Sequence, residues 1–266
     1  MKRIVVKVGS NVLTRADGKL NVTRMSAIVD QIAWLRQNDY QVILVSSGAV
    51  ACGRGELAMD TDLDKVEQRQ LFSAIGQVKL IGLYYDLFRE HNITVGQVLT
   101  MKENFEAGPQ LDNQRACMEV MLENGVLPIV NENDTVSVTG LMFTDNDELS
   151  GLIAQMLHAS DLLLLTNVDG VYNGDPNDDR SRVIPSVYWD RDLSSYIQDG
   201  KSEMGRGGML SKCHTAQQVA QSGIRVIIAN GNHDNIIPEL IEHPLETMHT
   251  EFVARTTPPK LGGWGV

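Results

Sequence analysis

The stretch Arg3-Ile4-Val5-Val6-Lys7-Val8-Gly9-Ser10 decides the architecture. Its apolar residues run nearly continuously instead of alternating, which is the pattern of a strand covered on both faces of a sheet. It ends by delivering a lysine and then a glycine, a residue that lets backbone approach a ligand closely. Further runs rich in Val, Ile or Leu stand at Gln41–Ser46, Thr94–Thr100, Val126–Val130, Asp161–Thr166 and Arg225–Ala229, with helical periodicity between them. Met25, Ile28, Val29, Ile32 and Leu35 share one helix face after a Thr23 cap. Leu71, Ile75, Val78, Leu80, Ile81 and Leu87 mark a longer helix, and Gln114–Asn124 stops at Asn124-Gly125. Strands alternating with helices predict an α/β fold, a three-layer sandwich whose central sheet is mainly parallel.

Composition narrows the function classes. The 266 residues carry 23 Lys+Arg against 34 Asp+Glu, a formal charge of −11, which disfavours a nucleic-acid or anionic-membrane module. With 42% apolar and 21% charged residues, the chain can bury a sizeable core. Cys52, Cys117 and Cys213 form no C-x-x-C pair and read as packed thiols of a reduced, cytoplasmic protein. Ile4-Val5-Val6 is too short for a signal peptide, and no run approaches a membrane span. His91, His158, His214, His233, His243 and His249 show no metal-ligand spacing. A polar loop between Asn167 and Arg182 marks a passage from a first lobe to a second, and Thr256–Val266 reads as an extended tail.

Gly200-Lys201-Ser202 is not a P-loop, because Ser195 stands where the first glycine belongs. No dinucleotide G-x-G-x-x-G follows the first strand, and protein-kinase H-R-D and D-F-G signatures are absent. Four other elements carry chemistry. Lys7–Asn11 and Ser46-Ser47-Gly48-Ala49-Val50 are glycine turns at strand ends, where α/β sheets bind ligands. Asn131-Glu132-Asn133-Asp134 and Thr144-Asp145-Asn146-Asp147 concentrate amides and carboxylates able to hold a small zwitterion by its ammonium group. The plainer reading of the second pair is a solvated loop with Asp145 or Asp147 capping a helix through Leu149, Leu152, Ile153 and Met156. Gly205–Lys212 is a glycine loop opening a helix, suited to phosphate oxygens with Lys212 adding charge, or else a surface loop.

Taken in order, KVGS (7–10), SSGAVACG (46–53), NEND (131–134), TDND (144–147), LLLLTNVDGVY (162–172) and GRGGMLSK (205–212) resemble the amino acid kinase family, over roughly residues 3–255. Within it they are similar to the branch that phosphorylates the side-chain carboxylate of L-glutamate with ATP, opening proline biosynthesis. The resemblance implies one kinase domain over 1–255, with a substrate lobe over about 1–165, a nucleotide lobe over about 166–255 and a tail from 256 to 266. It implies that Lys7 and Lys212 straddle the transferring phosphate and that Asp147 aligns them. Ser47, Asp134 and Asn146 match glutamate-binding positions. Lys7, Gly9, Thr166, Asn167, Arg206, Gly207, Gly208, Met209, Leu210, Ser211 and Lys212 match ATP-binding ones. Mg²⁺ is expected to arrive on the ATP phosphates without an assigned protein ligand. Also implied are a dimer or tetramer, proline as feedback inhibitor and handover to glutamyl phosphate reductase.

Three departures stand out. The family often has Thr-Asp where this chain has Thr166-Asn167, and a small residue or Thr in place of Arg206; many members carry a C-terminal PUA domain, for which this chain, ending at Val266, has no room. Two competing readings are a sibling kinase acting on N-acetylglutamate, aspartate, carbamate or a phosphate acceptor, and a silent nucleotide-binding protein.

Overall fold

The computed structural model describes residues 1–57, 63–137, 143, 145–176, 178–193 and 208–256. Thr144, the segment 194–207 with Arg206 and Gly207, and the tail from 257 onward lie outside them. In chain order the elements are β1 (Lys2–Val8), α1 (Ser10–Leu13), α2 (Val22–Gln37), β2 (Tyr40–Ser46), α3 (Ala49–Glu56), α4 (Lys65–Arg89), β3 (Val95–Thr100), α5 (Pro109–Glu123) and β4 (Leu127–Glu132). There follow α6 (Asn146–Met156), β5 (Asp161–Thr166), β6 (Ser186–Tyr188), α7 (Met209–Gln221), β7 (Arg225–Asn230), α8 (Ile236–Glu242) and β8 (Thr250–Val253).

The strands form one eight-stranded sheet in the order β3-β4-β2-β1-β5-β7-β8-β6. The first six run parallel; β8 turns antiparallel to β7 and carries β6 alongside it. All six strands expected from apolar runs are present. Because successive side chains point to opposite faces, β1 feeds two cores at once. Ile4, Val6 and Val8 pack with Ile28 and Ile32 of α2, Leu80 and Tyr84 of α4 and Ile237 of α8, whereas Val5 packs with Met118 of α5, Ile153 of α6 and Val219 of α7. Each such side chain, fully buried, contributes about 1.5–3 kcal/mol of hydrophobic stabilisation. The expected three-layer α/β sandwich with a mainly parallel sheet is therefore the observed one.

Several local readings are corrected. The α2 cap is Asn21, whose side chain accepts from the Arg24 amide, and Thr23 lies inside the helix. On α4 the core face is Phe72, Leu80, Tyr84 and Phe88, while Val78 is 72% exposed. Cys117 is exposed on α5, so only Cys52 and Cys213 are packed thiols. Strand β4 runs on through Glu132, so Asn131 and Glu132 are the last strand residues instead of the following loop. The turn after β2 becomes helix α3, seated on α4 by a pair of glycines. A Cβ on Gly53 would stand 1.8 Å from the Phe72 carbonyl oxygen, and one on Gly76 1.8 Å from that of Ala49. Only glycine permits that approach.

Candidate active site

The carboxyl ends of β1, β2, β4 and β5 all emerge on one edge of the sheet. The chain moves from β1 outward to β2 on one side and later returns to place β5 on the other, so the ends diverge at β1 and leave a crevice there. A cavity of about 650 Å³ occupies it. Eight of the site residues implied by the family resemblance line this one space, namely Lys7, Gly9, Ser47, Asp134, Asn146, Asp147, Thr166 and Lys212.

At one end two ammonium groups converge on one carboxylate. Lys7 Nζ stands 2.6 Å from Asp147 Oδ1 and Lys212 Nζ 2.9 Å from Oδ2. Lys7 and Asp147 are buried, and Lys212 is mostly so. Burial pushes the Asp147 carboxyl up, but the attraction of both lysines outweighs it and holds the group below its ordinary range. Burial likewise pulls Lys212 down, and Asp147 more than restores it, so its ammonium is held above the ordinary value. The triad carries one net positive charge in a water-poor wall, where electrostatic effects are strong. Asp145 settles its alignment. Its Oδ1 caps α6 by accepting from the amides of Asp147 and Glu148, both at 3.0 Å, and its Oδ2 accepts from Ser211 Oγ at 2.8 Å. One carboxylate thus ties the start of α6 to the start of α7 and fixes Asp147 against Lys212. Of the two caps the sequence left open, Asp145 is the cap and Asp147 the buried partner of the lysines.

The other end is built from amides and carboxylates. Asn146 Nδ2 donates to Ser47 Oγ at 2.9 Å and to Asn131 Oδ1 at 3.1 Å, while Asn131 Nδ2 donates to Gln77 Oε1 at 3.0 Å. Ser46 Oγ and the buried Tyr84 hydroxyl are 2.8 Å apart beneath this network. Arg69, from α4, bonds Glu132 Oε2 at 2.7 Å and also pairs with Asp134. Burial raises the Asp134 carboxyl to about 6 and Glu132 adds to the rise, against the pull of Arg69. Arg69 and Gln77 carry no motif signal. They fall on a long helix whose periodicity announces only its apolar face, and their role appears once their side chains are seen to bond Glu132 and Asn131 at the end of β4.

Of the remaining sequence candidates, Asn167 and Gly208–Ser211 are not among the residues lining that cavity, and Arg206 and Gly207 lie outside the described residues. Gly208 caps α7 without any side-chain cap bond, and the start of this 13-residue helix is the kind of terminus that suits an anion. Met209 packs against the second core, Leu210 is half-buried, and Ser211 is held by Asp145. Asn167 lies beside Thr166, their side-chain oxygens 3.4 Å apart. Among the described residues no group of three or more His, Cys, Asp or Glu is arranged to hold a metal ion.

Two lysines flanking a buried aspartate over parallel strand ends are suited to moving a charged group between two bound molecules. The chain belongs to the amino acid kinase family, whose model matches residues 2–230. More narrowly, it is 61% identical over 254 residues to Glutamate 5-kinase of Bacteroides thetaiotaomicron, spanning 96% of this chain and 71% of that one. Its identity to Glutamate 5-kinase of Chlorobaculum tepidum is 44% over 264 residues, 99% of this chain and 72% of the relative. Among solved structures, carbamate kinase from Giardia lamblia bound to AMP-PNP is similar in fold, with a TM-score of 0.66 and 16% identity across 96% of this chain and 99% of that one.

Proposed function

We propose that this protein uses ATP to phosphorylate the γ-carboxylate of L-glutamate, giving L-glutamyl 5-phosphate, the first step of proline biosynthesis. Supporting it are the relatives' identity and one observation, a single cavity with a net-positive triad at one end and a carboxylate-rich subsite at the other. Glutamate is polarised the same way. Asp134 faces its α-ammonium, with Ser47 and Asn146 holding the backbone end, and the γ-carboxylate is thereby aimed at Lys7 and Lys212.

A free γ-carboxyl titrates near about 4.3, so at neutral pH it is already an anion and needs no general base. One of its oxygens forms the new bond to the γ-phosphorus of ATP, the bond from that phosphorus to the β,γ-bridging oxygen breaks, and ADP departs with the electron pair. Lys7 and Lys212 neutralise charge on the equatorial and bridging oxygens as it shifts. Asp147 holds both cations in place before the phosphate arrives. The phosphates lie against Gly9, Thr166, Asn167 and the α7 start at Gly208–Lys212, a binding surface that we extend to Arg206 and Gly207.

The donor set suits a Mg²⁺ ion carried in on the nucleotide, because both Asp147 oxygens already face ammonium groups and the other cavity carboxylates do not form a ligand set. When bound, that ion supplies positive charge on the phosphate oxygens. The same reading assigns residues 1–165 to the substrate lobe and the nucleotide to the remainder up to 255. It also takes in a homo-oligomer, a cytoplasmic setting consistent with three free cysteines, proline as feedback inhibitor, and transfer of the labile product to glutamyl phosphate reductase.

The test is hydroxamate formation with hydroxylamine as trap, in the presence of ATP and Mg²⁺, offering glutamate, N-acetylglutamate, aspartate or no acceptor. Signal confined to glutamate is the expected result. Faster turnover of another carboxylate, or none at all, would overturn the reading.

A further inference from the structure

We propose that Arg69 is the positioning residue of the ammonium subsite. Its guanidinium, anchored on Glu132, holds the Asp134 carboxylate so that the subsite accepts a primary α-ammonium and refuses an acylated nitrogen. This rests on the glutamate reading of the site above.

The geometry forms a relay. Glu132 is the buried terminal residue of β4, and its Oε1 accepts from Ser137 Oγ at 2.9 Å and from the Phe143 amide at 3.3 Å. Its Oε2 bonds Arg69 at 2.7 Å, so strand and following loop together hold the guanidinium. Arg69 in turn engages Asp134 through Oδ1. Two carboxylates and one guanidinium leave one net negative charge, which matches one ammonium ion. An N-acyl group removes that positive charge and leaves a buried carboxylate facing an amide, a costly mismatch.

Other charged groups on the cavity wall are Lys65 of α4, Arg54 of α3, Lys7 of β1, Asp147 of α6 with its cap Asp145, and Lys212 of α7. Among the described residues, those acting directly on Asp134 include Arg69 and Glu132. Without Arg69, two neighbouring buried carboxylates would repel, and Asp134 would take up a proton near neutrality. An uncharged Asp134 binds an ammonium group weakly.

Two measurements test this. The first follows the Asp134 side-chain carboxyl by carbon NMR across pH, assigned through Asp134→Asn. Its midpoint should climb by roughly two units or more in Arg69→Gln and stay within about half a unit of the parent in Arg69→Lys. The second is the pH profile of steady-state kinetics. In Arg69→Gln the glutamate KM should rise about tenfold or more near neutrality and fall back as pH is raised toward about 9, with ATP KM unchanged. Arg69→Lys should restore most of the glutamate KM.

A merely structural arginine would lower kcat or raise both KM values with no pH-dependent recovery, and that result overturns the proposal, as does an Asp134 midpoint unmoved in Arg69→Gln. If the parent enzyme turns over no glutamate, the function reading fails, while the carboxyl titration still decides whether Arg69 governs Asp134.

Discussion

Among the described residues, the two ends of the cavity are three-membered ionic clusters of opposite sign. Lys7, Asp147 and Lys212 put two cations on one carboxylate; Glu132, Arg69 and Asp134 put one cation between two carboxylates. Burial acts the same way on both aspartates, raising each. The partner count decides the outcome. Asp147 ends below its ordinary range, and Asp134 is pushed up to about 6. One end is therefore a permanent electrostatic fixture, and the other is poised near the pH at which it would lose its charge.

The largest effect should come from breaking the positive cluster at its centre. Asp147→Asn leaves two buried lysines without their carboxylate, and kcat should fall about a thousandfold or more, with about 3–5 kcal/mol lost in denaturant unfolding. Retained turnover would separate Asp147 from lysine alignment. Removing one cation is milder. Lys212→Ala should depress kcat roughly a hundredfold while glutamate still binds by calorimetry, and unchanged turnover would take Lys212 out of the transfer step.

At the negative end the expected loss is in binding. Asp134→Asn should raise the glutamate KM about tenfold or more and leave ATP KM alone; movement of the ATP KM alone would show that the ligands are assigned to the wrong ends.

Stability against pH distinguishes the clusters further, with opposite slopes. Between its ordinary value of 3.8 and about 6, folded Asp134 binds more protons than the unfolded chain, so it subtracts stability as pH rises through that window. Asp147 does the reverse. Its contribution is present above 3.8 and is lost as pH falls through its depressed folded value. Unfolding free energies of parent and Asp134→Asn, measured across the window, should converge at its acid end, with the variant the more stable at its neutral end. Parallel curves would refute the raised value.

As a control on the surface, Lys79→Ala removes a partner of half-exposed Glu56 and should move unfolding by no more than about 0.5 kcal/mol.

Most of this fold was legible because buried parallel strands print themselves as continuous apolar runs, as DLLLLT at 161–166 shows. β6 and β8 were not, at three and four residues with one edge position between them, too short to leave a period. Helix α3 hid behind its composition. SSGAVACG reads as a glycine turn at a strand end until Gly53 and Gly76 are seen to be spacers between two helices. In the site, Lys7, Asp147 and Lys212 could be named because motifs carry them, and the structure brings them together. Which of Asp145 and Asp147 is the cap was settled only by where the chain places Ser211. Arg69 could not be found at all, since its meaning depends on the fold bringing it to Glu132 at the end of β4 and to Asp134 just beyond.

The three thiols give each wall its own clock. Cys52 sits in α3, on the wall proposed to hold the substrate, and Cys213 follows Lys212 in α7, on the wall proposed to hold the nucleotide, both buried, while Cys117 is open to solvent. Burial raises the Cys213 thiol to about 12 and Cys52 also upward, so neither reacts until its helix opens. Alkylation of Cys117 then marks zero time, and the lag of each buried thiol reads the free energy of opening one wall at a time. An added nucleotide should retard Cys213 and leave Cys52 on its original schedule.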